Sequence, residues 1–162
     1  MSRQNKFAYH FRQARREETD AILALFAEEV KAGRMLPRDR GKVEQGITDW
    51  RVAEKDGQII GCVSLVVFNQ ELCEVRSLAV SPEFRGNGLG KELIAAALGL
   101  AEERSIPKVL TLTRSPGLFE QLGFRRDTIQ NYPEKVWKDC LPCPLIDHCD
   151  ETALIYTFPD HA

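Results

Sequence analysis

One segment carries the strongest structural signal in this sequence. It reads Glu74-Val-Arg-Ser-Leu-Ala-Val80, followed by Ser-Pro-Glu-Phe-Arg85-Gly-Asn-Gly-Leu-Gly90. Apolar and β-branched residues predict a strand from Cys73 to Val80, and Pro82 ends it. Beyond the glycines, apolar residues recur every three or four positions and predict a helix to about Arg104. They are Leu89, Leu93, Ala96 or Ala97, and Leu100. A glycine-rich loop therefore joins a strand to a helix.

This loop has the composition of a phosphate-binding turn. The start of a helix leaves several backbone N–H groups unpaired, and the helix dipole adds partial positive charge there. Gly86, Gly88 and Gly90 keep side chains away from those groups, and Arg85 adds a formal charge. The pattern lacks the Gly-Lys-Ser/Thr of a Walker loop, and it does not follow the first strand of a parallel unit as a dinucleotide fingerprint does. We predict a pyrophosphate cradle; the alternative is a tight turn whose glycines serve packing alone.

Outward from this segment, changes in hydrophobic period separate strands from helices. Strands are predicted at Tyr9–Ala14, from Trp50 to the Asp56-Gly57 turn, at Gln58–Phe68, at Val109–Thr113, from Phe124, and at Ala153–Phe158. Further helices are predicted from Glu17 to Gly33, at Gly41–Ile47 and at Pro116–Leu122, whereas residues 128–151 are predicted to be irregular. This order predicts an α+β fold with a mixed sheet, and 162 residues suit a single domain, 1–162.

Two motifs in this order are similar to those of the GNAT acetyltransferases. The segment from Glu74 to Gly90 resembles that family's acetyl-CoA signature, and Leu118-Phe-Glu-Gln-Leu-Gly123-Phe124 resembles its second signature. The resemblance runs from about Tyr9 to Phe124, with each motif on the expected element. It implies the GNAT acyl-CoA N-acyltransferase fold, a mixed central sheet with helices on both faces, and acetyl-CoA as co-substrate.

The resemblance also implies how acetyl-CoA is held. In the family, the strand at Cys73–Val80 splays from the next strand, the pantetheine arm pairs with its end, and the pyrophosphate lies on the glycine-rich loop. The implied cofactor-binding residues are Leu78, Ala79, Val80, Arg85, Gly86, Asn87, Gly88, Leu89 and Gly90. A backbone N–H near Val80 would polarise the thioester carbonyl, and the amine would attack directly, without an acyl-enzyme.

Two residues bear on proton transfer. Glu74 resembles the position of the general base in many relatives, and an attacking amine must lose a proton. The alternative is an ordinary strand carboxylate that faces solvent or Arg76. Many relatives carry a tyrosine as general acid four residues before the glycine of the second signature, where this chain has Phe119. Phe119 can pack on the cofactor but cannot donate a proton, so the general acid is not identified.

A closer resemblance is to the transferase domain of N-acetylglutamate synthase. The similar segments are Leu36-Pro-Arg-Asp-Arg40, Thr113-Arg-Ser115 and Tyr132-Pro-Glu-Lys-Val-Trp-Lys-Asp139. It implies the short, stand-alone type, since no amino-acid-kinase-like segment is present, acting on L-glutamate or L-glutamine in arginine biosynthesis. Arginines bind carboxylates bidentately, so Arg38, Arg76 and Arg114 are candidate substrate residues, with Ser115 as a neutral partner. Taken singly, each arginine is better interpreted as a surface charge.

Composition and charge argue against several other classes of function. The 22 basic and 24 acidic residues give a net charge of −2, which offers no broad attraction to nucleic acid or to a membrane. No apolar run is long enough to span a bilayer, and residues 1–16 lack the apolar stretch of a secretory signal. We expect a cytoplasmic enzyme with a small-molecule amino-acid substrate. The oligomeric state is left open, a homodimer being one alternative.

Three of the five cysteines lie close together in the sequence. Cys140-x-x-Cys143 and Cys149, beside His148, have half the pattern of a zinc site, but the set of four ligands is incomplete. We favour a proline-rich loop with thiols over a zinc ion at Cys140, Cys143 and Cys149. Cys62 and Cys73 fall on predicted strands and are expected to be small core residues.

Two other functions stay open on the sequence alone. One is GNAT transfer to a different amine, such as a protein N-terminus, a polyamine or an antibiotic, and a cationic amine would require an acidic pocket. The other is a module that binds acetyl-CoA without turnover, an alternative that Phe119 leaves open.

Overall fold

The computed structural model describes residues 9–33, 35–143 and 149–159. Within these ranges the strands are β1 (His10–Gln13), β2 (Trp50–Lys55), β3 (Gln58–Val67), β4 (Leu72–Val80), β5 (Lys108–Thr113), β6 (Arg125–Asp127) and β7 (Thr152–Thr157). The α-helices are α1 (Thr19–Ala24), α2 (Ala27–Lys31), α3 (Arg40–Gln45), α4 (Leu89–Glu103), α5 (Pro116–Glu120) and α6 (Pro133–Lys135). Single 3-10 turns lie at Arg16–Glu18, Ile47–Asp49, Pro82–Phe84 and Ile129–Asn131, and a π-helical turn follows α6 at Val136–Cys140. None of these helices combines the length and the apolar character that crossing a membrane requires.

The strands form a mixed sheet in the order β1-β2-β3-β4-β5-β7-β6. The pairs β1–β2, β2–β3, β5–β7 and β6–β7 are antiparallel, whereas β4 and β5 are parallel. α4 lies between β4 and β5 in the chain and supplies the long connection that a parallel pair needs. The β4–β5 register pairs Leu72–Glu74 with Lys108–Leu110, the first three of the nine residues of β4. The predicted α+β class with a mixed sheet is confirmed.

The chain folds as two compact units, and β3, β4 and α4 contribute to both. The first unit comprises the described residues up to Ser64 together with Ser77–Ala97. Its core contains Ala14, Ile22, Phe26, Val43, Ile47, Trp50, Val52 and Cys62. The rings of Phe26 and Trp50 meet edge to face with centroids 6.2 Å apart. The predicted hairpin turn is present at Asp56 and Gly57, whose φ angles of 50° and 81° suit a two-residue turn.

The second unit comprises Leu65–Arg76 and the described residues from Leu98 onward. Its core includes Leu72, Leu110, Tyr132 and Ile155. Six consecutive residue pairs join β5 to β7. Gly123 has a φ of 97°, and a Cβ there would lie 3.2 Å from the ring of Tyr156, so both conformation and space favour glycine after α5.

Two local predictions differ from the structure. The helix predicted from Glu17 to Gly33 is divided into α1 and α2 by a turn at Leu25 and Phe26. Residues 128–151 were expected to be irregular, but helical turns occupy 129–131 and 133–140. Pro133 stands at the first position of α6, where its fixed φ suits a helix start. These turns are too short to show a helical period, so the pattern of apolar residues does not reveal them.

Candidate active site

The glycine-rich loop links β4 to α4 and lies in the first unit. Gly86 and Gly88 have φ angles of 81° and 79°, in the left-handed region that favours glycine. A Cβ built at either position meets no atom within 4 Å, so the loop backbone lies beside open space. α4 has 15 residues and begins at Leu89, directly after the second glycine. The loop thus presents bare backbone and the first turn of a long helix, as a phosphate cradle requires.

Side chains on both sides of the glycines fix the shape of this loop. Arg85 is exposed, and its Nε donates a hydrogen bond to the Val80 carbonyl at 3.1 Å. Asn87 Nδ2 donates to the Phe84 carbonyl at 3.2 Å. Leu89 is buried and anchors the start of α4. Since these contacts of Arg85 and Asn87 are with neutral carbonyls, the charge of Arg85 stays at the loop surface.

The end of β4 lies against a glycine of the neighbouring strand. Leu78, Ala79 and Val80 are half-buried. A Cβ added to Gly61 of β3 would lie 3.3 Å from the Ala79 carbonyl oxygen and 2.9 Å from a leucine side chain. Glycine at position 61 therefore permits the close packing that holds the β4 end in place.

A small cavity adjoins the glycine-rich loop in the first unit. Its volume is about 150 Å³. It is lined by Ala24, Leu25, Glu28, Glu29, Ser81, Pro82 and Arg85. Pockets that enclose drug-sized ligands typically measure about 300–1,000 Å³, so this cavity suits a small group rather than a whole substrate.

Arg38 and Ser77 are in contact in the first unit. The Nε of Arg38 donates to the Ser77 hydroxyl at 2.9 Å, and its Nη1 donates to the Leu36 carbonyl at 3.2 Å. Ser77 is buried and has a φ of 59°, a left-handed conformation inside strand β4. A non-glycine residue in this conformation costs roughly 1–3 kcal/mol and is most often found at functional sites. The predicted substrate residue Arg38 is thus hydrogen-bonded to the residue of β4 that has a left-handed backbone conformation.

Four charged side chains form a closed ring in the second unit, which we call the charge ring: Glu74, Arg76, Lys135 and Asp139. Glu74 Oε1 accepts hydrogen bonds from Arg76 Nη2 and from Lys135 Nζ, the latter at 3.0 Å. Asp139 Oδ2 accepts from the same two atoms, at 2.8 Å from Arg76 Nη2 and 3.2 Å from Lys135 Nζ. Glu74 and Lys135 are buried, with 2% and 7% of their surfaces exposed. Acidic and basic groups alternate around the ring, so its net charge is zero.

The electrostatics of the ring are set by burial and by its opposite charges. Burial alone would raise the pKa of Asp139, but the charges of Arg76 and Lys135 outweigh burial and hold that pKa below its ordinary value. Burial alone would lower the pKa of Arg76, but Glu74 and Asp139 raise it. Asp139 and Arg76 therefore remain charged at neutral pH. Loss of one member would leave a buried charge without its partner, which typically costs about 3–5 kcal/mol.

Three other predicted site residues, Arg114, Ser115 and Phe119, make contacts outside the charge ring. Arg114 Nε donates to Asp150 Oδ1 at 2.7 Å, and these side chains are 40% and 65% exposed. Ser115 is exposed, and its backbone N–H donates to Thr113 Oγ1 at 2.9 Å. Phe119 is buried and meets a neighbouring phenylalanine ring edge to face at 5.2 Å. A role for Phe119 in cofactor binding stays a prediction.

The two strand cysteines are core residues, as predicted. Cys62 and Cys73 are both fully buried. The Cys62 thiol donates to the Ser77 carbonyl at 3.5 Å. Burial raises the pKa of both thiols, to about 12 for Cys73.

The sequence leaves a zinc ion as the alternative at the other three cysteines. Cys140 and Cys143 are half-buried, and Cys149 is exposed. Within 9–33, 35–143 and 149–159, no three His, Cys, Asp or Glu side chains are arranged to hold a metal ion. His148 lies outside the described residues.

Sequence reasoning missed three residues of these clusters: Ser77, Lys135 and Asp139. Nothing in the sequence distinguishes Ser77, because serine has no local preference for the left-handed conformation that it adopts in β4. Lys135 and Asp139 fall in the Tyr132–Asp139 segment that resembles the synthase, and their spacing of four places both on one helical face. That spacing was the available signal, but it does not reveal the buried Glu74 as their partner.

Comparison with known proteins assigns the chain to a family. Residues 12–124 match the model of the acetyltransferase (GNAT) family, well over half of the 162 residues. The chain belongs to the GNAT family, as the sequence motifs predicted.

Two relatives are similar to this chain over most of its length. An uncharacterized N-acetyltransferase of Chlorobaculum tepidum is 35% identical over 146 residues, covering 90% of this chain and 94% of that protein. An amino-acid acetyltransferase of Neisseria meningitidis is 32% identical over 130 residues, covering 79% of this chain but 30% of that protein.

Solved structures agree with this assignment. N-acetylglutamate synthase from Neisseria gonorrhoeae, complexed with coenzyme A and N-acetyl-glutamate, has a TM-score of 0.83 and 26% identity over 94% of this chain and 36% of that one. A Mycobacterium tuberculosis protein in complex with coenzyme A has a TM-score of 0.75 and 22% identity, covering 92% and 99% of the two chains, and shows the shared fold. This chain therefore spans about a third of the synthase and of the amino-acid acetyltransferase.

Proposed function

We propose that this chain transfers the acetyl group of acetyl-CoA to the α-amine of L-glutamate, with L-glutamine as the second choice. Acetyl transfer is the activity of its family, and acetyl-CoA is the matching co-substrate. The identity of the acceptor is our proposal. It would make this protein the enzyme of the first step of arginine biosynthesis, acting in the cytoplasm.

The glycine-rich loop fits the pyrophosphate of acetyl-CoA. Gly86 and Gly88 leave open space where a side chain would lie, and the exposed Arg85 supplies a positive charge. The first N–H groups of α4 are the donors that a phosphate takes up. Leu78–Val80 would hold the pantetheine arm through their backbone groups. Acetyl-CoA supplies the activated thioester, and the residues of this chain bind and orient it.

β4 carries the groups proposed for the chemical step. Glu74 would accept the proton that the amine loses during attack, and the backbone N–H of Val80 would donate to the developing oxyanion. Direct attack requires no nucleophilic side chain, and most of the rate would come from proximity and orientation. The thiolate that leaves would take its proton from water, since Phe119 has no proton to donate.

The acceptor is proposed to be anionic because of three arginines. Arg38 donates to the Ser77 hydroxyl and to the Leu36 carbonyl, so its guanidinium lies beside β4. Arg114 contacts the carboxylate of Asp150, and Arg76 contacts those of Glu74 and Asp139. All three arginines are candidates for carboxylate binding, and Ser115 remains a candidate for a neutral hydrogen bond.

One observation carries the choice of glutamate. The structural match to N-acetylglutamate synthase extends over 94% of this chain at a TM-score of 0.83. The 32% identity with an amino-acid acetyltransferase, over 79% of this chain, supports the same class of acceptor.

A panel of amines tests the proposal. The purified protein is assayed with acetyl-CoA and L-glutamate, L-glutamine, L-norvaline, spermidine or a short peptide. L-Norvaline is the matched control because it lacks the side-chain carboxylate of glutamate. We expect the highest kcat/KM with L-glutamate or L-glutamine. Loss of thioester absorbance is the suitable readout, because the accessible thiols of Cys140, Cys143 and Cys149 would react with thiol reagents. A preference for spermidine or the peptide would refute the amino-acid assignment, and binding of acetyl-CoA without turnover would favour a non-catalytic module.

A further inference from the structure

The buried carboxylate of Glu74 is held through one of its two oxygens. The hydrogen bonds that the described residues donate to it, from Arg76 Nη2 and Lys135 Nζ, both reach Oε1. The Glu74 side chain is 3% exposed, so these two donors rather than bulk water set its orientation. Oε2 lies outside the charge ring and is the oxygen that can accept a proton.

Asp139 in turn holds the two donors. Its Oδ2 lies 2.8 Å from Arg76 Nη2 and 3.2 Å from Lys135 Nζ. The Lys135 side chain is 9% exposed, so its ammonium depends on the two carboxylates for charge compensation. Asp139 therefore acts on Glu74 through Lys135 and Arg76 rather than by contact.

We propose that Lys135 is a positioning residue for Glu74: it fixes Oε1, with Asp139 behind it, and leaves Oε2 to take the proton of the acceptor amine. In that step the amine nitrogen bonds to the acetyl carbon and gives one proton to Oε2. The carbon–sulfur bond breaks, and its electron pair leaves with the sulfur of CoA. The inference rests on the proposed acetyl transfer but not on which amine is the acceptor.

Other titratable groups act on the ring from neighbouring elements. Cys73 adjoins Glu74 on β4, Cys140 ends the π-helical turn, and Glu151 precedes β7. Burial raises the pKa of all three groups. The two thiols are therefore protonated at neutral pH, and the variants below leave all three groups unchanged.

Two substitutions with opposite charge effects test the inference. Lys135→Met removes a cation beside Glu74, and Asp139→Asn removes an anion with little change of shape. In Lys135→Met the acidic limb of the kcat/KM profile should move to higher pH, because loss of the cation favours the protonated form of Glu74. In Asp139→Asn it should move to lower pH, because loss of the anion favours the ionised form. The kcat of Lys135→Met should fall about 100-fold, at the lower end of the range for a lost general base. Its affinity for acetyl-CoA should not change.

The matched control is Lys138→Met. Lys138 is exposed and its ammonium lies 5.3 Å from the centre of the Phe68 ring, so its removal should leave the profile unchanged. The double variant Glu74→Gln with Lys135→Met should be no slower than Glu74→Gln alone, because Lys135 acts through Glu74. Equal pH profiles in all single variants, or shifts of both ring variants in the same direction, would overturn the inference.

Folding and substrate choice are controlled separately. If Lys135→Met does not fold, Lys135→Arg replaces it. The inference is then supported if Lys135→Arg keeps at least a tenth of the wild-type kcat and the acidic limb of the Asp139→Asn profile moves to lower pH. The amine used is the one that the wild type acetylates fastest. Preference for spermidine therefore refutes only the glutamate assignment, whereas absence of transfer to every amine overturns both proposals.

Discussion

Gly88→Glu tests the phosphate cradle most directly. Gly88 has a φ of 79° and no atom within 4 Å of its missing Cβ, so the new side chain would extend into open space and not into the core. Its carboxylate would meet the pyrophosphate at the start of α4 and offset the charge of Arg85. We expect the affinity for acetyl-CoA to fall at least about 10-fold, or about 1.4 kcal/mol.

The positive φ imposes a separate cost on stability. A side chain in the left-handed conformation costs about 1 kcal/mol relative to glycine. In a chain of 162 residues, that cost lowers Tm by about 2–4 °C. Gly33 is the matched control, since it has a φ of 74° and open space around its Cβ position but follows α2 instead of forming the loop. Gly33→Glu should show a similar fall in Tm with no loss of affinity.

Calorimetric titration of acetyl-CoA, together with thermal melts, separates the two effects. The comparison includes Gly88→Ala, which adds the backbone strain without the charge and should lose less affinity than Gly88→Glu. The loss in Gly88→Glu should also shrink at high salt, because the repulsion acts at an exposed site. Unchanged affinity in a folded Gly88→Glu, or an equal loss in Gly33→Glu, would refute the assignment of the loop.

Four further predictions concern the amine step, substrate binding and acid stability. Glu74→Gln should lower kcat by roughly 10²–10⁴, and the deficit should shrink at high pH as free amine accumulates, which pH–rate profiles would show; an unaltered profile would move the role of base elsewhere. Arg38→Ala should weaken the binding of glutamate by about 2–5 kcal/mol, which raises the KM for glutamate while acetyl-CoA binding is kept, and steady-state kinetics that show an equal effect on both substrates would contradict this. Arg114→Ala should also act mainly by raising the KM for glutamate. Breaking the exposed ion pair with Asp150 should lower the free energy of unfolding by about 1 kcal/mol or less. Arg76 and Lys135 lower the pKa of Asp139 in the folded protein. The stability that this carboxylate contributes is therefore complete above its unfolded pKa, near 3.8, and is lost as the pH falls through the folded pKa. Urea denaturation as a function of pH should therefore show that Asp139→Asn loses less stability in acid than the wild type does.

The fold was predictable from the sequence where local pattern and tertiary packing agree. The run of Ile and Val in β3, the Asp56-Gly57 turn and the apolar face of α4 each indicate one structure clearly. The glycine-rich turn between β4 and α4 was predictable for the same reason, since Gly86 and Gly88 have the positive φ angles that favour glycine, whereas phosphate binding there stays a prediction. The helical turns at 133–140 were not, because three to five residues carry no period.

The site was predictable only in part, because contacts between distant residues decide it. Glu74 and Arg76 stand out on β4, but Lys135 and Asp139 reach them across more than 60 positions of sequence. Ser77 is a further case, since its φ of 59° does not follow from any local preference of serine. Single-sequence reasoning finds residue types suited to a chemistry, whereas partners of this kind require the folded chain.

The contacts of the three arginines also rank them as carboxylate receptors. Arg76 lies in a buried ring, where giving up Glu74 or Asp139 would cost about 3–5 kcal/mol. Arg114 would give up an exposed pair with Asp150, at a cost of about 1 kcal/mol or less. Arg38 donates to the Ser77 hydroxyl and the Leu36 carbonyl, and a hydrogen bond to a charged carboxylate is stronger than one to a neutral acceptor. An anionic acceptor is therefore expected to engage Arg38 and Arg114 before Arg76, which is better suited to holding Glu74 than to binding substrate.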